Sequence, residues 1–161
     1  MTAQPTPPDG AGGSGERRAP YWVMLLLRGT LIVATLQILA QAVLAGAFST
    51  GDVRMLIVHA NNGDFLTVVQ LLTVIASVGL WWRGRGPAWP ILLSVVLLVA
   101  TEVQKYFGYV KNVLVHIPLG VLLFGATLVL LIWALAPLRV RPRARGRKKR
   151  DRAAAEPGGR R

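Results

Sequence analysis

Four apolar stretches dominate the chain between Tyr21 and Pro137, near residues 24-47, 57-81, 88-108 and 113-136. Each is about the ~20 residues that a helix needs to cross ~30 Å of hydrocarbon, where the backbone must satisfy its own polar groups. The links between them are too short for anything but a reversal, which makes consecutive helices antiparallel neighbours. The expected fold is therefore all-α, an integral membrane up-down-up-down four-helix bundle over residues 21-137. Composition agrees: 53% of the residues are apolar and 16% charged, against roughly 25% charged in soluble domains.

Basic residues orient the bundle, because they favour the cytoplasmic side. Arg17, Arg18 and Arg28 precede or open the first stretch, Arg83 and Arg85 sit in the second link, and eleven Lys and Arg follow Pro137. Only Arg54, Lys105 and Lys111 stand at the other face. Both termini are expected in the cytoplasm. Trp81, Trp82 and Trp89 at the inner link and Tyr106, Phe107 and Tyr109 at the outer end fit interfacial belts. Ala45-Gly46-Ala47 has the look of a signal-peptide cleavage site, but the preceding apolar run exceeds the ~7–15 residues of such a peptide, so the first span is expected to be retained.

The ends differ in kind. Residues 1-20 are rich in Pro and Gly with few bulky apolar side chains, and read as a disordered tail. Residues 138-161 read as a disordered polybasic tail that carries most of the formal charge of +12. Placed after a span, it is expected to meet anionic lipid headgroups, and nothing in it suggests specific nucleic-acid recognition. Arginine outnumbers lysine, and Ala, Gly, Val and Leu dominate, which points to a bacterial plasma membrane as the setting. The chain has no cysteine, so disulfides, thiolate metal sites and iron-sulfur clusters are excluded.

Polar residues inside a span usually face the bundle interior and carry function. Here they gather at the outer ends: Gln37 and Gln41 in the first span, His59, Asn61, Asn62 and Asp64 in the second, Glu102 and Gln104 in the third, His116 in the fourth. The inner half holds little beyond Ser and Thr, with Gln70 near the middle, and reads as scaffold. The only histidines lie in VHANNG and VHIPLG, each followed four residues later by a glycine, Gly63 or Gly120. That glycine falls on the same helical face one turn deeper, giving a flat ligand room against the backbone. The second and fourth spans run the same way on one diagonal of a square bundle, which puts the histidines at one depth. Each follows a glutamine, Gln41 or Gln104, at separations of 18 and 12 residues, so the halves look like an approximate duplication.

In these residues the chain resembles the four-helix haem-binding membrane proteins, particularly one half of a haem A synthase and the small membrane cytochromes b, and a group of small four-span bacterial proteins with the same Gln and His-x-x-x-Gly layout. The resemblance covers roughly residues 24 to 136. It implies a b-type haem near the outer face with His59 and His116 as axial ligands, Gln41, Asn62 and Gln104 as hydrogen-bond donors around it, and a redox partner. Where haem A synthases carry a glutamate one turn before a histidine, this chain has Gln37 and Gln41, so their oxidation chemistry is not implied.

Two other readings stand beside this one. The histidines could be interfacial side chains hydrogen-bonded across helices, in a structural or accessory membrane protein without a cofactor. Alternatively, Asp64 and Glu102 could serve ion or small-solute permeation, or complete a zinc site with the two histidines. No phosphate loop, nucleotide fingerprint or Ser-centred elbow occurs, and no catalytic residue is assigned.

Overall fold

The computed structural model describes residues 21–84 and 86–136; both expected tails, and Arg85, lie outside the described residues. Among the described residues the fold is all-helical: α1 (Tyr21–Ser49), α2 (Arg54–Trp82), α3 (Trp89–Tyr109) and α4 (Val113–Leu135). All four are long and apolar enough to cross a membrane. Each of α1 and α3 packs against both α2 and α4, while the backbones of α1 and α3, and of α2 and α4, stay apart. The helices thus form a ring of four, with α2 and α4 on one diagonal.

Side-chain bonds fix the register of the seams. Along α1 and α2, Gln41 meets His59 and Gln37 meets Asn62. Along α2 and α3, Thr67 meets Glu102 and Ser77 meets Ser94. Along α3 and α4, Gln104 meets His116, and the rings of Trp89 and Trp133 pack edge to face at 4.6 Å. Arg28, read from sequence as a flanking charge, lies within α1; its Nε–H donates to the Ala134 carbonyl at 2.9 Å, where the last carbonyls of α4 lack helical partners.

The interior is more polar than the exterior. Thirteen apolar residues are buried, led by Leu27, Leu31, Leu80, Leu97 and Leu130, but so are Thr30, Thr35, Gln70, Thr73, Ser77, Ser94, Thr101 and Thr127. Among the described residues, forty large apolar side chains are exposed along the flanks. Seven of the eight buried polar residues are hydroxyls, whose small size lets backbones approach and whose oxygens bond along or between helices.

The halves repeat closely. Adding 63 to the buried α1 positions Leu27, Leu31, Ala34 and Ile38 gives Pro90, Ser94, Leu97 and Thr101, the buried positions of α3. Adding 57 to Leu66, Gln70, Thr73 and Ser77 of α2 gives Leu123, Thr127, Leu130 and Ala134, all buried in α4.

The two links that close the hairpins repeat as well. Gly51 (φ 110°) and Lys111 (φ 58°) take the left-handed conformation that ends a helix. The N–H groups of Gly51 and Lys111 donate to the Phe48 and Gly108 carbonyls, and those of Asp52 and Asn112 to Ala47 and Phe107. These are the two paired bonds of a Schellman turn. Asp52 and Asn112 then use their side chains to accept from Arg54 N and Val115 N at the start of the next helix. These links correspond at an offset of 60, between the 63 of the odd helices and the 57 of the even ones. The first hairpin is therefore three residues longer on each of its two helices, about 4.5 Å at 1.5 Å per residue. One added turn per helix accounts for the Gln-to-His separations of 18 and 12 residues and leaves the glutamine-histidine register intact.

Candidate functional site

His59 and His116 are brought together. Their ring centroids lie 6.1 Å apart with planes inclined at 52°, across the bundle from opposite members of the α2/α4 diagonal. Both are half-buried. His59 Nδ1 lies 3.2 Å from the Gln41 carbonyl oxygen and His116 Nδ1 lies 2.8 Å from that of Gln104. A carbonyl oxygen only accepts, so each Nδ1 carries the proton and donates it. In the neutral ring that leaves Nε2 as the lone-pair nitrogen. Backbone acceptors of this kind are what fix a histidine's tautomer and ring orientation at metal sites.

Local sequence sets the place of His116 and its ring. Asn112 caps α4 and sets His116 within its first turn, while Pro118 contributes no N–H where the chain leaves that turn. On the facing wall, Gly108 gives the His116 ring its place: a Cβ built there would stand 2.9 Å from Cε1 and 3.1 Å from Nδ1. The matching α1 position, at an offset of 63, is Ala45. It carries a methyl where Gly108 has none, and His59 sits farther from its carbonyl than His116 does.

The glutamines and glycines pair differently from the sequence expectation. The space beside Gly63 is taken by the Gln41 amide, whose Nε2 lies 3.1 Å from where a Cβ would be, and that beside Gly120 by the Gln104 amide at 2.9 Å. The glycines thus seat glutamine side chains, symmetrically in the two halves. Gln41 and Gln104 each retain a buried Oε1 without a hydrogen-bond partner, and so does Gln37 one turn from Gln41. Unpaired buried acceptors are costly, and these three belong to the residues of α1 and α3 that bond α2 and α4 through their backbone carbonyls. Asn62 is used elsewhere: its Nδ2 donates to the Gln37 carbonyl at 3.0 Å and ties α2 to α1.

Asp64 and Glu102 stand apart from the histidines on the α2/α3 seam. Lys105 Nζ lies 2.8 Å from Asp64 Oδ1 and 3.2 Å from Glu102 Oε2, and it also donates to Thr67 Oγ1 at 3.2 Å. The Glu102 to Lys105 pairing follows from their i,i+3 spacing; the bridge to Asp64 crosses helices and needed the fold to reveal it. Among the described residues no group of three or more His, Asp or Glu side chains is placed to hold a metal ion, so the zinc arrangement of two histidines with Asp64 or Glu102 does not form.

Lys105 joins two helices by charge, and its removal has a predictable sign. Lys105→Met leaves Asp64 and Glu102 without their shared cation and is expected to lower the detergent-solubilised melting temperature. The pairs are partly exposed, so the loss is set at about 1 kcal/mol or less for each. Adding Asp64→Asn and Glu102→Gln should recover most of it. A Lys105→Met variant that melts at the wild-type temperature would show that the bridges contribute no stability.

The sequence does not reveal the contact of Gly108 with the His116 ring, the unpaired Oε1 of Gln37 or the reach of Lys105 across to Asp64. Of these, Gly108 could have been found from the sequence, because it follows Gln104 by one helical turn on the face that meets His116. Comparison of the chain with known protein families, curated proteins and solved structures finds no match to any of them.

Proposed function

We propose that the chain is a multi-pass protein of the bacterial plasma membrane that binds one b-type haem between His59 and His116, for electron transfer or sensing. The supporting observation is the histidine pair itself. Two imidazoles that bind one metal ion from opposite sides at ~2.0–2.1 Å per nitrogen have their centroids about 6.4 Å apart, and these stand at 6.1 Å. Both have Nδ1 engaged by a backbone carbonyl. Two protein ligands do not complete a metal's shell, and as no third His, Asp or Glu joins them among the described residues, the remaining donors would come from a macrocycle.

Other residues fit the group. The unpaired Oε1 atoms of Gln41, Gln104 and Gln37 would accept from bound water or protonated groups, and the amides lying over Gly63 and Gly120 are flexible ends that can swing aside to uncover the glycine backbone. When bound, the haem supplies one-electron chemistry. The chain's own residues bind and orient it: Gln41 and Gln104 hold the imidazole tautomers through their carbonyls, and the hairpins present the two rings across the bundle axis.

The setting rests on the surface and the charges. Flanks lined with exposed Leu, Val, Ile and Trp suit lipid and not water, and the asymmetry of Lys and Arg supports an up-down-up-down insertion with both termini in the cytoplasm and the site toward the outer face. The basic segment after Pro137 would meet anionic headgroups, and a redox partner would exchange electrons with a site placed near one face.

An absorption spectrum decides the matter. Protein expressed with haem precursor and purified in detergent is expected to show a Soret band displaced from that of free haem, and a sharp α band on reduction with dithionite. Folded protein that stays colourless after titration with haem would refute the reading and leave a cofactor-free membrane component.

A further inference from the structure

Eight polar residues are buried in the bundle, and six of them are satisfied. Thr30, Thr35, Thr73 and Thr101 donate to carbonyls of the preceding turn, at Leu27, Leu31, Val69 and Leu97. Ser77 and Ser94 bond each other at 2.9 Å, and Ser94 also reaches the Pro90 carbonyl. The remaining two are Gln70 and Thr127. Both are 0% exposed. Both Gln70 amide atoms and the Thr127 hydroxyl lack any hydrogen-bond partner.

These two occupy matching positions. An offset of 57 relates Gln70 to Thr127, as it relates His59 to His116. Eleven residues separate the members of each helix, close to three full turns, so Gln70 and Thr127 lie on the same helical faces as the histidines and about 16 Å farther along. The layer between is Leu66 and Leu123, again a matched pair and both buried. The bundle therefore repeats one arrangement at two levels, each with polar side chains projecting from the α2/α4 diagonal.

We propose that Gln70 and Thr127 form a second polar site, at the middle of the bundle, whose ligand is bound water. The chemistry of the orphaned atoms selects the occupant. Gln70 needs an acceptor for its amide protons and a donor for its oxygen, and Thr127 needs one of either; water supplies both from a single small molecule and makes two to four bonds. No buried residue at this level carries a charge, so nothing there favours an ion. A threonine in a helix ordinarily bonds the carbonyl of the preceding turn, as four of the buried threonines here do. Thr127 leaves that bond unmade, and its hydroxyl stays available to a ligand.

The test uses the full chain in detergent micelles with 15N-labelled glutamine. The side-chain amide of Gln70, assigned through its own backbone, is expected to show magnetisation exchange with a long-lived water, and Thr127→Val is expected to weaken or abolish that signal while leaving the helix content unchanged. Thr127→Val removes one hydroxyl at nearly constant shape, so folding is not at issue. An absent signal in the wild type, or one that Thr127→Val leaves unaltered, overturns the proposal. The experiment needs no haem, so its outcome is independent of the histidine site.

Discussion

Replacement of either histidine by alanine is expected to reduce haem affinity by more than about 100-fold, since changes to groups that merely orient a metal ligand already cost ~10–100-fold. The Soret band of the purified protein should fall to background in His116→Ala and in His59→Ala alike. Neither side chain belongs to the leucine core that holds the helices, and both are only half-buried, so circular dichroism should report unchanged helix content. Exogenous imidazole should restore part of the spectrum in each variant, because the cavity left by the side chain has the shape of the missing ring. A variant that keeps the wild-type band and affinity would remove that histidine from the ligand set.

Gly108→Ala is the second large effect expected. The new methyl would stand 2.9 Å from His116 Cε1, a separation that real side chains do not tolerate. The obstacle is a ring held by the Gln104 carbonyl at 2.8 Å through Nδ1, the atom that the methyl would also crowd at 3.1 Å. The ring must leave either its hydrogen bond or its facing position, and haem affinity should drop by about 10–100-fold, the range seen when a ligand loses its orienting partner. Gly46→Ala is the control, since a Cβ there meets nothing within 4 Å, and it should bind haem as the wild type does. If Gly108→Ala binds equally well, the glycine is not what positions His116.

Much of the architecture was legible in the chain because its causes are local. Runs of Leu, Val and Ile of membrane-crossing length imply helices whatever surrounds them, and the repeated Val-His-x-x-x-Gly strings place two imidazoles at corresponding heights once α2 and α4 share a diagonal. The interior was harder to read. In a water-soluble helix the apolar stripe marks the buried face, but here α1 is apolar on all sides, with Leu25 and Leu36 exposed and Leu27 and Leu31 buried. What marks the interior is instead the run of Gln, Thr, Ser and Gly, which looks unremarkable in a sequence. In the sequence Gln70 reads as an isolated residue in a scaffold, and only the helix register sets Thr127 at the matching position. The pairing of Gln41 with Gly63 and Gln104 with Gly120 was equally hidden, since a glycine announces free space but not which side chain fills it.

The extra turn on each helix of the first hairpin has a consequence for traffic to the histidines. The α1/α2 end stands about 4.5 Å above the α3/α4 end, so the rim around the pair is stepped, not level. His116 is three residues from the start of its helix and His59 five. From the hairpin end of the bundle, the lower step, with Lys111 and Asn112, lies fewer residues from its histidine than the taller one does. On the haem reading proposed above, an electron carrier would come nearest from that side, where the charge of Lys111 favours an acidic partner. The taller hairpin serves as a fender on the opposite side, and a partner pressing from there would be held off by roughly the thickness of one helical turn.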